Sequence, residues 1–200
     1  MKIAITGPHC SGKSTLLRRI ESAIDIPNVQ FVKFDGSCCP VNYSKKSVIN
    51  DKNSEIAVTL WMLSKLVLRE VEIQCDKNYK KSDVYIFDRC LLDQLVYPAI
   101  NLQDMNYIDV IKQYIELWLS INPYDLIFCV PKNELFLKKV PNFNQDLDYL
   151  DKVEKLYLEL FNNLKHTQKI LILPPNQDEQ KSIIISKIRE ITQKENQNYV

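Results

Sequence analysis

Eight residues near the N-terminus, Gly7 to Ser14, constrain the fold of this chain more than any other segment. They match the pattern G-x-x-x-x-G-K-[ST] at every fixed position and use two of the three glycines in 200 residues. A loop that turns its amide groups inward toward an anion needs positions without a Cβ atom, which explains where these glycines stand. The run is therefore typical of a phosphate-binding loop, which requires a strand before it and a helix after it.

The segments on both sides of this phosphate loop have the periodicities that it requires. Lys2 to Thr6 is short and rich in β-branched residues, which is typical of a buried strand. Between Ser14 and Ile24 the apolar residues recur at helical spacing, at Leu16, Leu17, Ile20 and Ile24. The sequence therefore predicts a strand, a loop and a helix in that order.

Four more segments are typical of strands, and amphipathic helices separate most of them. These strands are predicted at 29–34, 83–88, 126–130 and 169–173. One helix begins at the N-cap Ser54 and carries a stripe expected to face the core, formed by Ile56, Leu60, Leu63, Val67 and Val71. Further helices are predicted around 108–119, from about 146 to 164 and from about 178 to 193. This alternation predicts the α/β class, with a five-stranded parallel sheet covered by helices on both faces.

The length of the chain fits one domain of ordinary size. We expect that domain to cover residues 1–193, with a polar tail at 194–200. The segment 35–53 is polar and contains Gly36 and Pro40, so a long mobile loop is expected there.

The side-chain charges nearly cancel, which limits the classes of partner. The chain has 26 basic and 25 acidic residues, a net charge of +1 and no dense basic stretch. Strong affinity for nucleic acid or an anionic membrane depends on clustered lysine and arginine, so neither partner is expected. The apolar runs are also far shorter than the roughly 20 residues that span a bilayer. Since the six cysteines include no C-x-x-C pair, we expect a cytoplasmic protein with free thiols.

Ligands of parallel sheets bind beyond the carboxyl ends of the strands, so the chemistry is expected there. In the phosphate loop, the backbone amides and the positive end of the next helix would hold phosphate, and Lys13 would bridge the β- and γ-oxygens. Ser14 would offer its hydroxyl to Mg²⁺. The predicted ATP-phosphate-binding residues are Gly7, Pro8, His9, Cys10, Ser11, Gly12, Lys13, Ser14 and Thr15.

The third predicted strand ends in Asp88-Arg89, and a carboxylate beside a guanidinium suits a site that handles both Mg²⁺ and phosphate. Asp88 would hold metal-bound water or a substrate hydroxyl, while Arg89 would clamp phosphate oxygens. An ordinary surface salt bridge is the alternative interpretation of this pair.

The phosphate loop followed by Asp88-Arg89 resembles the nucleoside and nucleotide kinases, notably the thymidylate-kinase-like and deoxynucleoside-kinase-like groups. The run Asp88-Arg89-x-x-x-Asp93-x-x-x-Tyr97 is also similar to that of small AAA-type, ribosylnicotinamide-kinase-like P-loop proteins. The resemblance implies transfer of the γ-phosphoryl group of Mg-ATP to a nucleoside or a nucleoside monophosphate, with Mg²⁺ as the cofactor.

The resemblance also implies an acceptor site. In these kinases a carboxylate follows the second strand, where Asp35 stands here, although a turn residue is an equally good interpretation of Asp35. The other acceptor-site candidates are Lys65, Arg69 and Asp93. A sugar hydroxyl needs a catalytic base, for which Asp35 and Asp88 are the candidates, whereas an ionised acceptor phosphate needs none.

The same families have a lid after the fourth strand, which the resemblance places at 132–145. The lid candidates here are Lys138 and Lys139, because this segment contains no arginine. A competing function therefore stays open, that of an ATP-binding regulator or slow ATPase whose bound state is read by a protein partner. The expected small-molecule partners are ATP and a nucleoside or nucleotide acceptor, and a homodimer is also left open.

Overall fold

The computed structural model describes residues 1–35, 38–39, 52–80, 83–102, 105–133, 136, 147–164 and 168–197. The strands are β1 (Lys2–Thr6), β2 (Val29–Val32), β3 (Val84–Asp88), β4 (Leu126–Cys129) and β5 (Ile170–Ile172). The helices are α1 (Lys13–Glu21), α2 (Lys52–Cys75), α3 (Asp93–Asn101), α4 (Met105–Ile121), α5 (Leu147–Leu164) and α6 (Gln177–Gln197).

The five strands form one parallel sheet in the order β2-β3-β1-β4-β5, which confirms the predicted fold class. In the register of the central pair, Ile5 on β1 lies opposite Asp88 on β3. On the other side of β1, Thr6 lies opposite Cys129 on β4. The carboxyl ends of these three strands therefore meet at one edge of the sheet, and the phosphate loop leaves from the middle of that edge.

Two apolar layers cover the faces of the sheet because successive residues of each buried strand point to opposite sides. One layer joins Ile3 and Ile5 to the apolar sides of α1 and α6. The other joins Ala4 and Phe87 to α2, α3, α4 and α5. The strands are buried on both faces and consequently read as continuous apolar runs.

Helix α3 was not predicted, although it begins only five residues after β3 ends. It contains Pro98, which lowers any expectation of a helix, and it buries Asp93 and Gln94 at its start. The last helix continues to Gln197, beyond its predicted end. Within the described residues, none of the helices has both the length and the apolar character needed to cross a membrane.

The predicted core stripe of α2 was wrong at one position, because the Leu60 side chain is 48% exposed. Leu63 is buried as expected, whereas the other residues that α2 buries, including Val58 and Leu66, lie outside that stripe. The inward side of α2 is therefore rotated relative to its most apolar side.

The prediction that helix α2 begins at the N-cap Ser54 was wrong, because it already begins at Lys52, inside the segment predicted as a loop. Most of that predicted loop, 35–53, lies outside the described residues.

A buried ion-pair network fastens α2 to the opposite, amino-terminal edge of the sheet. Glu70 is 1% exposed and accepts hydrogen bonds from Lys2 Nζ at 2.9 Å, Trp118 Nε1 at 2.7 Å and Tyr124 Oη at 2.5 Å. Asn122 Nδ2 adds a fourth bond, at 3.0 Å. Burial lowers the pKa of Lys2, and the Glu70 carboxylate opposes that shift. The Glu70 carboxylate therefore accepts hydrogen bonds from four side chains, one of which is the charged Lys2.

We predict that Glu70→Ala lowers the free energy of unfolding by about 3–5 kcal/mol, because it leaves the Lys2 ammonium buried without the carboxylate that compensates its charge. The measurement is urea denaturation, with Glu72→Ala on an exposed side of the same helix as the control. The control is expected to change the free energy by less than about 0.5 kcal/mol. Equal effects of the two substitutions would contradict this role of Glu70.

Candidate functional site

The phosphate loop has the geometry that its two glycines predict. Gly7 adopts φ +143°, and a Cβ atom at this position would collide with the carbonyl oxygen of Val130 just after β4. Gly12 adopts φ +84°, and a Cβ atom there would collide with Gln177 and the ring of Phe136. Both glycines are thus required by the conformation and by close neighbours.

Phe136 and Gln177 are site residues that the sequence did not reveal. The Gln177 side-chain amide, at the start of α6, donates a hydrogen bond to the carbonyl of Gly12 at 3.3 Å. Phe136 belongs to the segment where the lid was predicted, and its ring packs on the same glycine. The carboxyl end of the phosphate loop is therefore covered by groups that follow β4 and β5.

The Lys13 side chain is buried and folds back over the phosphate loop. Its ammonium donates to the carbonyls of Gly7 at 2.7 Å and Pro8 at 2.5 Å, and to the Ser11 hydroxyl at 3.1 Å. Burial and then the positive charge of Arg89 lower the pKa of Lys13 to about 7, against the opposing effects of Asp93 and Asp88. The nearby positive charge of Arg89 therefore adds to the free-energy cost of keeping the Lys13 ammonium charged.

Arg89 lies in the turn that follows β3 and adopts the left-handed conformation, with φ 70°. Its backbone N–H donates to the carbonyl of Ile5 at 2.9 Å, which extends the β1–β3 pairing past the end of the strand. A non-glycine residue rarely adopts this conformation unless its surroundings hold it there.

Arg69, on α2, fixes the backbone of that turn by hydrogen bonds. Its guanidinium donates to the carbonyl of Asp88 at 2.6 Å and to the carbonyl of Arg89 at 2.7 Å. The same group lies over the rings of Phe34 and Phe87, with its central carbon 5.4 Å and 5.1 Å from their centroids. The predicted acceptor-site candidate Arg69 therefore fixes the backbone at the end of β3 and contacts the ring of Phe34 just after β2.

The Arg89 guanidinium is half-buried and donates no hydrogen bond within the residues that the structure describes. Burial by itself would lower the pKa of Arg89, but the surrounding Tyr97, Asp93 and Tyr157 outweigh it and the net shift is upward. Arg89 is thus a permanent cation whose donors stay unused by the described part of the chain.

Asp93 is fully buried behind the phosphate loop at the start of α3. One of its carboxylate oxygens accepts hydrogen bonds from the Thr6 hydroxyl and the Cys90 thiol, and the other has no partner among the described residues. Burial raises the pKa of Asp93, against the opposing effects of Arg89 and Thr6. The structure therefore places this acceptor-site candidate inside the protein, between β1 and α3.

A short series of aromatic rings borders the same region. The His9 ring lies 4.8 Å from the ring of Tyr97, and Tyr97 meets Tyr157 edge to face at 6.2 Å. Burial, and then the charges of Arg89 and Lys13, hold the pKa of His9 well below its usual range, so His9 is neutral at pH 7. Tyr157, on α5, gave no sequence signal because a tyrosine on an amphipathic helix is ordinarily a core residue.

The remaining predicted residues are more open or lie outside the description. Asp35 is exposed just after β2, and its carboxylate lies 3.6 Å from the Cys38 thiol. Ser14 is exposed and Thr15 half-buried in the first turn of α1, and Lys65 is exposed on α2. Lys138, Lys139 and most of the predicted lid lie outside the described residues.

Comparisons with known proteins agree on the family and the fold. A family model described as an AAA domain matches residues 2–181. Deoxyadenosine kinase from M. mycoides with bound dCTP has a TM-score of 0.70 at 19% identity, and the match covers 95% of this chain and all of the other. The same kinase with bound dATP gives 0.64 at 20% identity, covering 94% and 99%. With the products dCMP and dCDP it gives 0.69 at 19% identity, covering 95% and 100%.

No similar sequence was found among curated proteins. The structural likeness shows that this chain has the deoxyadenosine-kinase fold, and the family model covers nine-tenths of its length. The chain belongs to the AAA domain family of P-loop proteins.

Proposed function

We propose that this protein is a P-loop kinase that transfers the γ-phosphoryl group of Mg-ATP to a nucleoside or a nucleoside monophosphate. The observation that carries the proposal is the position of Arg89. The guanidinium of a buried ion pair would donate hydrogen bonds to its partner. The Arg89 guanidinium instead lies next to the phosphate loop and donates no hydrogen bond within the described residues. Phosphoryl transfer needs such a cation at the charge of the transferring group.

The phosphate loop accounts for the donor side of the reaction. The loop amides and the start of α1 suit the β-phosphate, and Lys13 needs only to leave its loop carbonyls to reach phosphate oxygens. In the free protein Lys13 and Arg89 repel each other, which lowers the pKa of Lys13. A phosphate group beside Lys13 would offset that repulsion, so the free site favours an anionic ligand.

The residues present also fit Mg²⁺. The Ser14 hydroxyl and the Asp88 carboxylate offer the hard oxygen donors that this ion prefers. Within the described residues no group of three or more His, Cys, Asp or Glu side chains could hold a metal. The ion would therefore take most of its ligands from phosphate and water, as Mg²⁺ commonly does, and would neutralise phosphate charge during transfer.

A nucleoside is the acceptor that we favour. Deoxyadenosine kinase has this fold, and here a carboxylate, Asp35, follows β2 on the same edge of the sheet as Asp88. Either carboxylate would take the proton of a sugar hydroxyl, a role that a phosphate acceptor would not require. Arg69 contributes indirectly, because it fixes the backbone on which Asp88 and Arg89 stand.

The first experiment follows label from γ-labelled ATP and Mg²⁺ into a panel of nucleosides and nucleoside monophosphates. We expect label in one class of acceptor, and label in a nucleoside would require the base. Release of free phosphate alone, or ATP binding without turnover, would contradict the proposal and favour the regulator or slow ATPase.

We predict that Arg89→Ala lowers the rate of transfer by at least about 100-fold, because the charge of the transferring group loses its cation. Binding of ATP, measured by calorimetry, is expected to change little, since the loop and Lys13 remain. The control is Arg189→Ala on the exposed side of α6, which is expected to transfer at the normal rate. A normal rate in Arg89→Ala would exclude this role.

We predict that Arg69→Lys lowers kcat by about tenfold or more while the affinity for ATP is retained. A single ammonium cannot reproduce the planar fork that reaches both carbonyls, so the turn that carries Arg89 becomes less well defined. Steady-state kinetics over both substrates separates kcat from KM, with Arg189→Lys as the matched control. An unchanged kcat would show that the turn holds its position without Arg69.

A further inference from the structure

Gln177, the first residue of α6, connects that helix to the phosphate loop. Its side-chain amide donates to the carbonyl of Gly12, 165 residues earlier in the chain, at 3.3 Å. Arg19, on α1, donates in turn to the side-chain oxygen of Gln177 at 3.4 Å, and it also forms an ion pair with Asp178. We call the hydrogen bonds from Arg19 to Gln177 and from Gln177 to Gly12 the Gln177 bridge.

We infer that Gln177 is a positioning residue that fixes the phosphate loop for its phosphate ligand, and that Arg19 acts through Gln177. The inference rests on the proposed function only in that the phosphate loop binds ATP. The guanidinium of Arg19 can only donate hydrogen bonds, and the carbonyl of Gly12 can only accept them. The Gln177 amide therefore has a single orientation that satisfies both neighbours, with its nitrogen toward Gly12.

The carbonyl of Gly12 determines the direction of a backbone donor that phosphate would use. The peptide group between Gly12 and Lys13 is planar and trans, so its carbonyl and its N–H point in opposite directions. The N–H of Lys13 lies at the start of α1, where the backbone donors have no partner inside the helix. A contact that fixes the Gly12 carbonyl therefore also fixes the Lys13 N–H.

Gly12 is the residue of the loop at which such a contact matters most. It adopts φ +84° and ψ +13°, and without a Cβ atom its peptide groups rotate more freely than those of other residues. Its carbonyl accepts the first hydrogen bond of α1, from the Leu16 N–H at 2.9 Å. The Gln177 amide is the second donor, and a carbonyl oxygen has two lone pairs. The Gln177 bridge thus adds a tertiary restraint to a local one.

Other residues at the start of α6 already serve the fold of that helix. The Asn176 side-chain oxygen accepts from the backbone N–H of Asp178 at 2.9 Å and of Glu179 at 3.1 Å, which caps the helix. The buried Gln180 donates to the carbonyl of Pro174 at 2.6 Å. Apolar side chains pack α6 against α1 and the sheet. The Gln177 amide is therefore not needed for capping or packing, and its contribution is expected at the loop.

The Gln177 bridge changes the affinity for phosphate because phosphate strengthens it. A phosphate oxygen that accepts from the Lys13 N–H polarises the peptide group, which makes the Gly12 carbonyl a better acceptor. The bond from Gln177 is then stronger in the ATP-bound loop than in the free loop. Only an interaction that differs between the two states contributes to affinity, and this one favours the bound state.

The test is isothermal titration calorimetry of the full chain with Mg-ATP, and with Mg-ADP, which retains the β-phosphate. Gln177→Leu keeps the size of the side chain but has no donor, and it is expected to weaken both affinities about 3- to 10-fold, the equivalent of one net hydrogen bond. Gln193→Leu, at an exposed glutamine of the same helix, is the matched control and is expected to bind like the wild type. Unchanged affinity in Gln177→Leu, or equal weakening in both variants, overturns the inference.

A double-mutant cycle tests the role of Arg19, at about 0.15 M salt so that the charge of this residue is screened. Arg19→Ala is expected to weaken binding of Mg-ATP by less than Gln177→Leu does. In the Gln177→Leu background it is expected to weaken binding no further, because Arg19 acts through the amide that is already absent. Effects that add in full would overturn the role of Arg19 as a residue that orients Gln177.

Folding of each variant is checked by circular dichroism and thermal melting, and Gln177→Ala replaces Gln177→Leu if the latter does not fold. A role confined to the stability of α6 would lower the melting temperature without changing the affinity for Mg-ATP, and this result overturns the inference. The measured quantity is binding, so it decides the role of Gln177 whether or not a phosphoryl group is transferred. Failure of label transfer would contradict the proposed kinase alone, whereas a wild type that binds neither Mg-ATP nor Mg-ADP would overturn both.

Discussion

The pairing of β1 with β3 determines the geometry on which the whole site depends. It places the start of the phosphate loop, just after β1, directly beside the turn that carries Arg89. The hydrogen bond from the Arg89 backbone to Ile5 continues this pairing into the turn, and Arg69 fixes the turn from the other side. The site is therefore built on the strands of the sheet. Two cations, Lys13 of the phosphate loop and Arg89 of the turn, lie close together before any ligand binds.

The positive charges of Lys13 and Arg89 repel each other, and the described residues compensate this repulsion only in part. Asp93 is buried near both Lys13 and Arg89 and favours the charged form of each. One oxygen of that carboxylate is occupied by the Thr6 hydroxyl, and the other has no partner in the described part of the chain. An anion between the two cations would complete the compensation. The electrostatics of the site thus favour phosphate binding independently of any resemblance to known kinases.

The phosphate loop and the alternating strands could be predicted because local patterns determine them. Gly7 and Gly12 stand where the backbone has no room for a side chain, and the continuous apolar runs indicate strands buried on both faces. Helix α3 could not be predicted, because Pro98 and the buried polar residues at its start are justified only by tertiary contacts.

The roles of the other site residues depend on contacts that no local pattern specifies. Arg69 serves the turn because α2 brings its guanidinium to the backbone carbonyls at the end of β3. Phe136 and Gln177 cover Gly12 from segments more than 100 residues away in sequence. The exposure of Leu60 has a different cause. Its apolar character was read correctly, but the described residues do not pack over its side chain.

The central claim is that Arg89 stabilises the transferring phosphoryl group more than it stabilises bound ATP. The most direct measurement is the affinity for a transition-state analogue, ADP with Mg²⁺, aluminium fluoride and the acceptor, in the wild type and in Arg89→Ala. We expect the variant to bind the analogue at least about 100-fold more weakly while its affinity for ATP is nearly unchanged. Equal affinity of both proteins for the analogue would contradict the claim.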